Sequence, residues 1–289
     1  MADTLALRRK IKTAQNISKT TRAMQMIAAS KLKKAQHAAL SSRPYTQELM
    51  NLTIRLSPKN DISDLHPFLG KANKSNKTLY ILISPDKGLC GGLVTNLIRE
   101  YFKIRHDDKA VFVTVGKKIE GPVATGKKLL AAFPFGSTLP SYNQVLPLID
   151  IINQEYLTGD VDRVKIIVTH FTSVFSQTPQ IIDLLPVHLP EEISKSNTSE
   201  SKEFIFEPSQ SEILPELLKR YIEIVLFQQF LESYASYNAA QMIAMQNATN
   251  NAKDLVNDYQ LLYNKARQER ITNEILDITS AAVAIGAEV

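Results

Sequence analysis

Small and apolar side chains recur at spacings of three or four residues near both ends of the chain, as they do on one face of an α-helix. Because each stripe needs a partner surface, the pattern predicts two long helices that pack together as an antiparallel coiled coil. The first stripe consists of Leu7, Ile11, Ala14, Ile17, Thr21, Met24, Ala28, Leu32, Ala35 and Ala39. The second consists of Tyr234, Tyr237, Gln241, Met245, Ala248, Ala252, Leu255, Tyr259, Leu262 and Ala266.

The helix-breaking residues lie between these two arms. All thirteen prolines and nine of the ten glycines fall between Pro44 and Pro215. Since proline removes a backbone donor and glycine costs about 1 kcal/mol in a helix interior, each arm can form one continuous helix. A helix of about 70 residues is roughly 105 Å long, whereas a compact chain of this size measures roughly 50 Å across. We therefore expect the helices to project from the body; a bundle buried within the domain is the alternative.

The second stripe changes direction after Ala266. Its next apolar member is Ile271, five positions on, which turns the face by about 140° around the helix. The stripe then resumes at Ile275, Ile278, Ala282 and Ile285. We expect the helix to pack on the first arm up to Ala266 and on another protein beyond it; a terminus buried by its own chain is the alternative.

Between the arms the pattern is that of an α/β domain. Mostly continuous apolar runs predict strands at 78–84, 110–116, 163–171 and 180–187, and helical periodicity is found at 92–104 and 142–157. The predicted fold class is thus α/β plus a long antiparallel two-helix coiled coil, with a small, open, Rossmann-like sheet domain at its base. The predicted domains are the first helix of the coiled coil at 1–57, the α/β domain at 76–205 and the second helix at 209–289.

Charge is distributed unevenly. Residues 1–43 hold ten lysines or arginines against one acid, Asp3, which is a balance of +9, and residues 216–289 hold six against nine. A basic helix of this density can dock on an acidic protein or on nucleic acid. No apolar run approaches the roughly 18 residues of a membrane helix, and Cys90 is the only cysteine, so no internal disulfide can form. These features predict a cytoplasmic protein without its own membrane anchor.

Two stretches invite a nucleotide-binding interpretation. GPVATGKK, at 121–128, matches a phosphate-binding loop as far as Lys127, but Lys128 stands where the loop needs a hydroxyl, and Pro122 interrupts it. SPDKGLCGGL, at 84–93, follows a strand without the glycine spacing of a dinucleotide site. Cys90 has no neighbouring base, and His170 and His188 lie on or beside predicted strands. The sequence therefore predicts no active site, no metal and no cofactor.

Three motifs, in order along the whole chain, resemble those of the gamma subunit of F-type ATP synthases. They are ISKTTRAMQMIAASKLKKAQ, SPDKGLCGGL and NAAQMIAMQNATNNAKDLVNDYQLLYNKARQERITNEI. The resemblance implies a rotor shaft that stands within a ring of three alpha and three beta subunits. It implies epsilon and the membrane c-ring as further partners, with ATP synthesis coupled to hydrogen ion or sodium transport. It also implies a peripheral position on the cytoplasmic face of the bacterial inner membrane, where membrane association is indirect.

The resemblance also implies the residues that contact a beta subunit. Motif matches place these contacts on the second arm, on the first arm and in the glycine-containing loop, at Arg267, Gln268, Thr272, Arg22, Met24, Lys87 and Cys90. An apolar collar is expected to hold the tip formed by Ile275, Ile278, Ala282 and Ile285. Tyr237 and Gln241 depart from the family, which usually has Glu and Arg at these positions.

A different class remains as an alternative, namely a basic coiled-coil protein that binds nucleic acid or serves as a scaffold. Such a protein would use the cationic first arm on phosphates. Residues 1–43 contain no aromatic side chain for stacking on bases, which disfavours nucleic-acid binding.

Overall fold

The computed structural model describes residues 2–56, 66–70, 75–126, 128–187, 207 and 209–286. Within these ranges, two long helices come before and after a five-stranded sheet with three shorter α-helices and one 3-10 turn, Tyr142–Gln144. The elements are α1 (Ala2–Leu56), β1 (Thr78–Ile83), α2 (Leu93–Ile104), β2 (Ala110–Val115), α3 (Lys117–Ala124), β3 (Leu129–Phe133), α4 (Leu146–Leu157), β4 (Arg163–Phe171), β5 (Gln177–Leu185) and α5 (Gln210–Gly286).

The sheet is mostly parallel. Its strand order is β3-β2-β1-β4-β5, in which the first four strands are parallel and β5 is antiparallel to β4. Five of the six residues of β1, the central strand, are buried, as the continuous apolar run predicts. One core cluster joins β1 and β2 to α2 and α3, and within it the rings of Tyr101 and Phe112 meet edge to face at 5.3 Å. The four predicted strands are present, although β5 begins at Gln177 and not at Gln180.

Two elements of the domain do not appear in the sequence prediction. β3 is a five-residue edge strand that alternates half-buried and exposed residues, so it lacks the continuous buried run of its neighbours. α3 contains Gly121 and Pro122, which have low helix propensity, and no helix was predicted there. The helix is nevertheless formed because it buries Ile119 and Val123 against the sheet, and this packing outweighs the low helix propensity.

Residues Met1–Ile27 and Met242–Val289 form one compact unit, in which α1 and α5 pack together. The hydroxyls of Thr21 and Thr249 lie 2.7 Å apart, and Lys10 Nζ lies 5.7 Å from the centre of the Tyr259 ring. Residue numbers thus fall along α1 as they rise along α5, so the two helices are antiparallel here. Both threonine hydroxyls also bond within their own helices, which leaves no hydroxyl unsatisfied in the contact.

The prediction assigned four residues wrongly to the buried stripes. Ile17 and Met24 are 49% and 37% exposed, and Leu255 and Leu262 also face solvent. Their neighbours Ser18, Gln25, Val256 and Tyr263 lie half-buried in their place. The correct stripe on α1 follows small and polar residues, because short side chains allow the two backbones to approach closely, whereas the prediction chose the most apolar residue at each turn.

Residues Ala28–Gln241 form a second compact unit, which contains the sheet and the adjoining parts of both long helices. Lys31 Nζ donates to Ser137 O at 2.7 Å, and the Phe135 and Phe230 rings lie 5.7 Å apart. α1 continues through Pro44 as far as Leu56, so it exceeds the stretch that is free of helix breakers. The buried Leu49, Thr53 and Leu56 show that tertiary packing supports this extension.

Gly116 provides a test of the junction between β1 and β2. Its φ is +97°, and a Cβ atom there would lie 1.9 Å from Ser84 O. We expect Gly116→Ala to lower the free energy of unfolding by at least about 1–3 kcal/mol, since it adds both strain and a clash. Gly121→Ala, in α3 with open space around it, is the matched control and should raise that energy by up to about 1 kcal/mol. Urea unfolding measures both, and equal effects would contradict this account.

Candidate functional site

The end of α5 has no partner within the described part of the chain. Ala266 is half-buried, but every residue from Arg267 to Ser280 is exposed, including Ile275 and Ile278 at 56% and 69%. The change predicted after Ala266 is therefore confirmed as far as residue 280. That another protein covers this surface stays a prediction, and the side chains of Ala282 and Ile285 lie outside the described residues.

The polar groups of this end bond within the helix itself. Thr272 Oγ1 donates to Gln268 O at 3.0 Å, and Thr279 Oγ1 donates to Ile275 O at 3.0 Å. Arg270 Nε lies 2.7 Å from Glu274 Oε1. Arg267, in contrast, forms no ion pair with any described residue. The surface thus combines exposed isoleucines with a cation that is available to an acidic or hydrogen-bonding partner.

The predicted contact residues on α1 lie on the outer side of that helix. Arg22 and Met24 are exposed. Thr21, in contrast, faces α5, where its hydroxyl contacts that of Thr249. Nine of the ten basic residues of 1–43 are also exposed, namely Arg8, Arg9, Lys10, Lys12, Lys19, Arg22, Lys33, Lys34 and Arg43. The exposed surface of α1 is therefore strongly cationic, although Lys10 also lies over the Tyr259 ring of α5.

The loop after β1 is held by Asp86. Its Oδ1 accepts hydrogen bonds from the backbone N–H groups of Lys117 and Phe135 at 3.0 and 3.1 Å, and its Oδ2 accepts one from Gly136 at 2.8 Å. Burial alone would raise the pKa of Asp86, but these three donors and the charge of Lys117 together lower it. The carboxylate thereby fixes the position from which Lys87 extends into solvent.

Cys90 faces the interior and not the surface. Its side chain is 3% exposed and packs with Leu93, Ala240 and the partly buried Tyr237. Burial raises the pKa of the Cys90 thiol, and burial, with a contribution from the nearby cysteine, raises the pKa of Tyr237 to about 12. The Cys90 side chain thus fastens the loop to α5, and contact of this residue with a beta subunit stays a prediction. Leu89, which is exposed with a φ of +62°, is the residue that this loop presents beside Lys87.

The GPVATGKK stretch does not form a phosphate-binding loop. Gly121 and Pro122 lie inside α3, and the stretch leads from a helix into β3, whereas a phosphate-binding loop leads from a strand into a helix. Lys127 lies outside the described residues, as does His188. Among the described residues, no group of three or more His, Cys, Asp or Glu side chains could hold a metal ion. No helix in the described ranges is long and apolar enough to cross a membrane.

Sequence reasoning missed the role of Asp86, although the residue lies in a quoted motif. The available signal was an acidic residue directly after a buried strand and before a run of glycines, where a carboxylate can accept bonds from exposed backbone N–H groups. Its donors, Lys117, Phe135 and Gly136, are distant in sequence, so only the fold could identify them.

The fold and these surfaces define a class of protein in which two antiparallel helices adjoin a mainly parallel α/β sheet and the longer helix ends in an exposed face. The family model described as ATP synthase matches residues 4–285. An ATP synthase gamma chain of Dehalococcoides mccartyi (strain CBDB1) is 38% identical over 289 residues, covering 99% of this chain and 100% of that relative. The ATP synthase gamma chain of Methylacidiphilum infernorum is 37% identical with the same coverage. The chain belongs to the ATP synthase gamma chain family.

Solved structures agree on the fold. A chain in the Euglena gracilis mitochondrial ATP synthase, OSCP/F1/c-ring, rotational state 3, has a TM-score of 0.69 at 17% identity, covering 99% of this chain and 95% of that one. A chain in the Tetrahymena thermophila mitochondrial ATP synthase, central stalk/c-ring, has a TM-score of 0.60 at 21% identity, covering 79% of this chain and 99% of that one.

We expect Asp86→Asn to lower the free energy of unfolding by about 1–3 kcal/mol. The amide keeps only one acceptor oxygen, and its NH2 group would face a backbone N–H group that it cannot bond. Asp108→Asn, at a fully exposed side chain, is the matched control and should change stability little. Since the folded-state pKa of Asp86 is lowered, its contribution is complete above the unfolded pKa of about 3.9 and is lost as pH falls. Denaturation curves between about pH 3 and 7 should show a weaker acid dependence in Asp86→Asn than in the wild type. An unchanged dependence would refute the assignment.

Proposed function

We propose that this chain is the central rotor shaft of the catalytic sector of an F-type ATP synthase. It couples proton or sodium flow through a membrane c-ring to ATP synthesis or hydrolysis on the beta subunits. The observation that carries the proposal is the exposed end of α5, in a chain that belongs to the gamma chain family. A helix that turns inside other subunits must present its outer surface to them and not to its own chain.

The shaft would be an antiparallel coiled coil of α1 and α5, and the sheet would form a Rossmann-like domain at its base. The antiparallel contacts Thr21–Thr249 and Lys10–Tyr259 support the first part. The order of the four parallel strands, with helices between them, supports the second. We assign 1–57 and 209–289 to the two shaft helices and 76–205 to the sheet domain.

The beta subunits would meet the shaft at Arg267, Gln268 and Thr272 on α5, at Arg22 and Met24 on α1, and at Lys87 in the loop after β1. All of these side chains are exposed. A rotation step changes a site only through contacts that differ between its states, so the shaft must touch each beta subunit differently at each angle. Exposed ion pairs contribute only about 0–1 kcal/mol each and are screened by salt, so shape must transmit most of the torque.

The tip of α5, with Ile275, Ile278, Ala282 and Ile285, would turn within an apolar collar of the ring. The hydroxyls of Thr272 and Thr279 already donate to the backbone of their own helix. Together with the exposed isoleucines, this leaves a surface on which few fixed hydrogen bonds resist rotation. Such a tip guides the shaft and does no chemistry.

The partners are three alpha and three beta subunits, an epsilon subunit and the c-ring, and membrane association is indirect. The chain would lie on the cytoplasmic face of the bacterial inner membrane, in keeping with its bacterial relatives. Two of the fold relatives come from a central stalk with a c-ring and from an assembly of OSCP, F1 and c-ring. Co-expression with alpha and beta subunits should yield one copy of this chain per three alpha–beta pairs.

We expect Arg267→Ala with Gln268→Ala to slow ATP hydrolysis by the reconstituted complex by about tenfold, the equivalent of about 1.4 kcal/mol in the barrier. Both side chains are exposed, so we expect their contacts to be with a partner subunit and not with this chain. Removing residues 280–289 should cost no more than about threefold, because the collar only guides the shaft. Asn250→Ala with Lys253→Ala, two exposed residues on the same helix, is the matched control. Equal losses from the double substitution and the deletion would contradict this division of roles.

A further inference from the structure

A buried carboxylate joins α5 to β4 within the unit formed by Ala28–Gln241. Glu232 on α5 is only 8% exposed, and its Oε2 lies 2.6 Å from Nδ1 of His170 on β4. Its Oε1 accepts a hydrogen bond from Nε2 of Gln228, one turn earlier on the same helix, at 3.2 Å. Both carboxylate oxygens are therefore engaged, and by groups on two different elements.

The same cluster extends to α1. Ser42 Oγ donates to Oε1 of Gln228, and Arg43 Nη2 lies 3.7 Å from Oε1 of Glu232. An unbroken series of polar contacts thus runs from α1 through α5 to β4. We name the five residues Ser42, Arg43, His170, Gln228 and Glu232 the polar lock.

Apolar packing is incomplete beside the polar lock. A cavity of about 340 Å³ borders it, and its apolar lining consists of Ala39, Leu40, Phe171 and Ala235. Hydrophobic contacts are non-directional, whereas hydrogen bonds and ion pairs define a distance and an angle. Burying a carboxylate is costly, so a buried glutamate with a complete set of partners is better suited to fixing one arrangement of its elements than to adding stability.

We propose that the polar lock holds α1 and α5 in fixed register against β4, so that load passes between the helices and the sheet without slip. Glu232 is the positioning residue at its centre. This inference rests on the proposed rotor function. The charged and polar groups that face Glu232 come from two other elements, Arg43 from α1 and His170 from β4, so the contact defines a direction that apolar packing does not.

Two substitutions remove the contacts at the centre of the polar lock. Glu232→Gln removes the negative charge at nearly constant volume, and His170→Ala removes the side chain on β4 that faces Glu232.

The experiment measures ion pumping and ATP hydrolysis by the complex reconstituted with each variant. Glu232→Gln should leave hydrolysis within about twofold of wild type while the number of ions pumped per ATP falls by about threefold or more. His170→Ala, which breaks the same contact from the β4 side, should lower the number of ions pumped per ATP in the same direction. Asp183→Asn, which breaks the more exposed Lys165–Asp183 pair at 2.9 Å in the same unit, is the matched control and should behave as wild type.

Wild-type pumping in both variants, or an equal fall in hydrolysis and pumping, would overturn the polar lock. Failure of the wild-type chain to assemble or support pumping would instead overturn the proposed function. In that event the full-length chain alone still tests the lock through thermal unfolding of the two single variants and the double variant. Coupled residues give non-additive changes in Tm, and additive changes would refute the lock independently of rotation.

Discussion

The structure depends on one constraint, which is that an amphipathic helix must bury its stripe against something. α1 and α5 meet this requirement through Ala14, Thr21, Thr249 and Ala252, whose short side chains allow a close approach of antiparallel backbones. Beyond Ala266 the requirement is not met within the described chain, and the exposed isoleucines remain. Leaving apolar area in water adds no stability. The need that joins the two helices therefore also indicates that another protein covers α5 beyond Ala266.

The sheet domain uses a different device, in which a few polar groups fix loops that packing alone would leave undetermined. Asp86 satisfies three backbone donors from two separate segments, while Cys90 and Leu93 fasten the following loop to Ala240 on α5. Those hydrogen bonds stabilise the charged form of Asp86, which is why the pKa of its carboxylate is lowered. Lys87 is positioned by this arrangement although it makes no bond of its own in it, so precision at the surface derives from groups beneath it.

The sequence predicted much of this architecture, because helix breakers and buried strands leave strong local signals. The long arms, four strands and the change of face after Ala266 follow from spacing alone. Where tertiary context decides, the prediction failed. Ser18 displaced Ile17 in the helix contact because size mattered more than hydrophobicity, and α3 formed despite Gly121 and Pro122 because Ile119 and Val123 are buried. The burial of Cys90 was not predicted, because a motif conveys position in the chain and says nothing about which way a side chain points.

A rotor makes opposite demands on two parts of one polypeptide, and the chemistry of each part reflects its demand. The exposed end of α5 keeps its threonine hydroxyls bonded to its own backbone, which would lower polar friction in the proposed collar. Around Glu232 polar groups do the reverse, since Ser42 on α1 bonds to Gln228 on α5 and His170 on β4 contacts Glu232 on α5. Slip is permitted where bonds stay within one helix and prevented where they cross between elements. What distinguishes the exposed end of α5 from the polar lock is therefore which elements the hydrogen bonds join, more than how many hydrogen bonds there are.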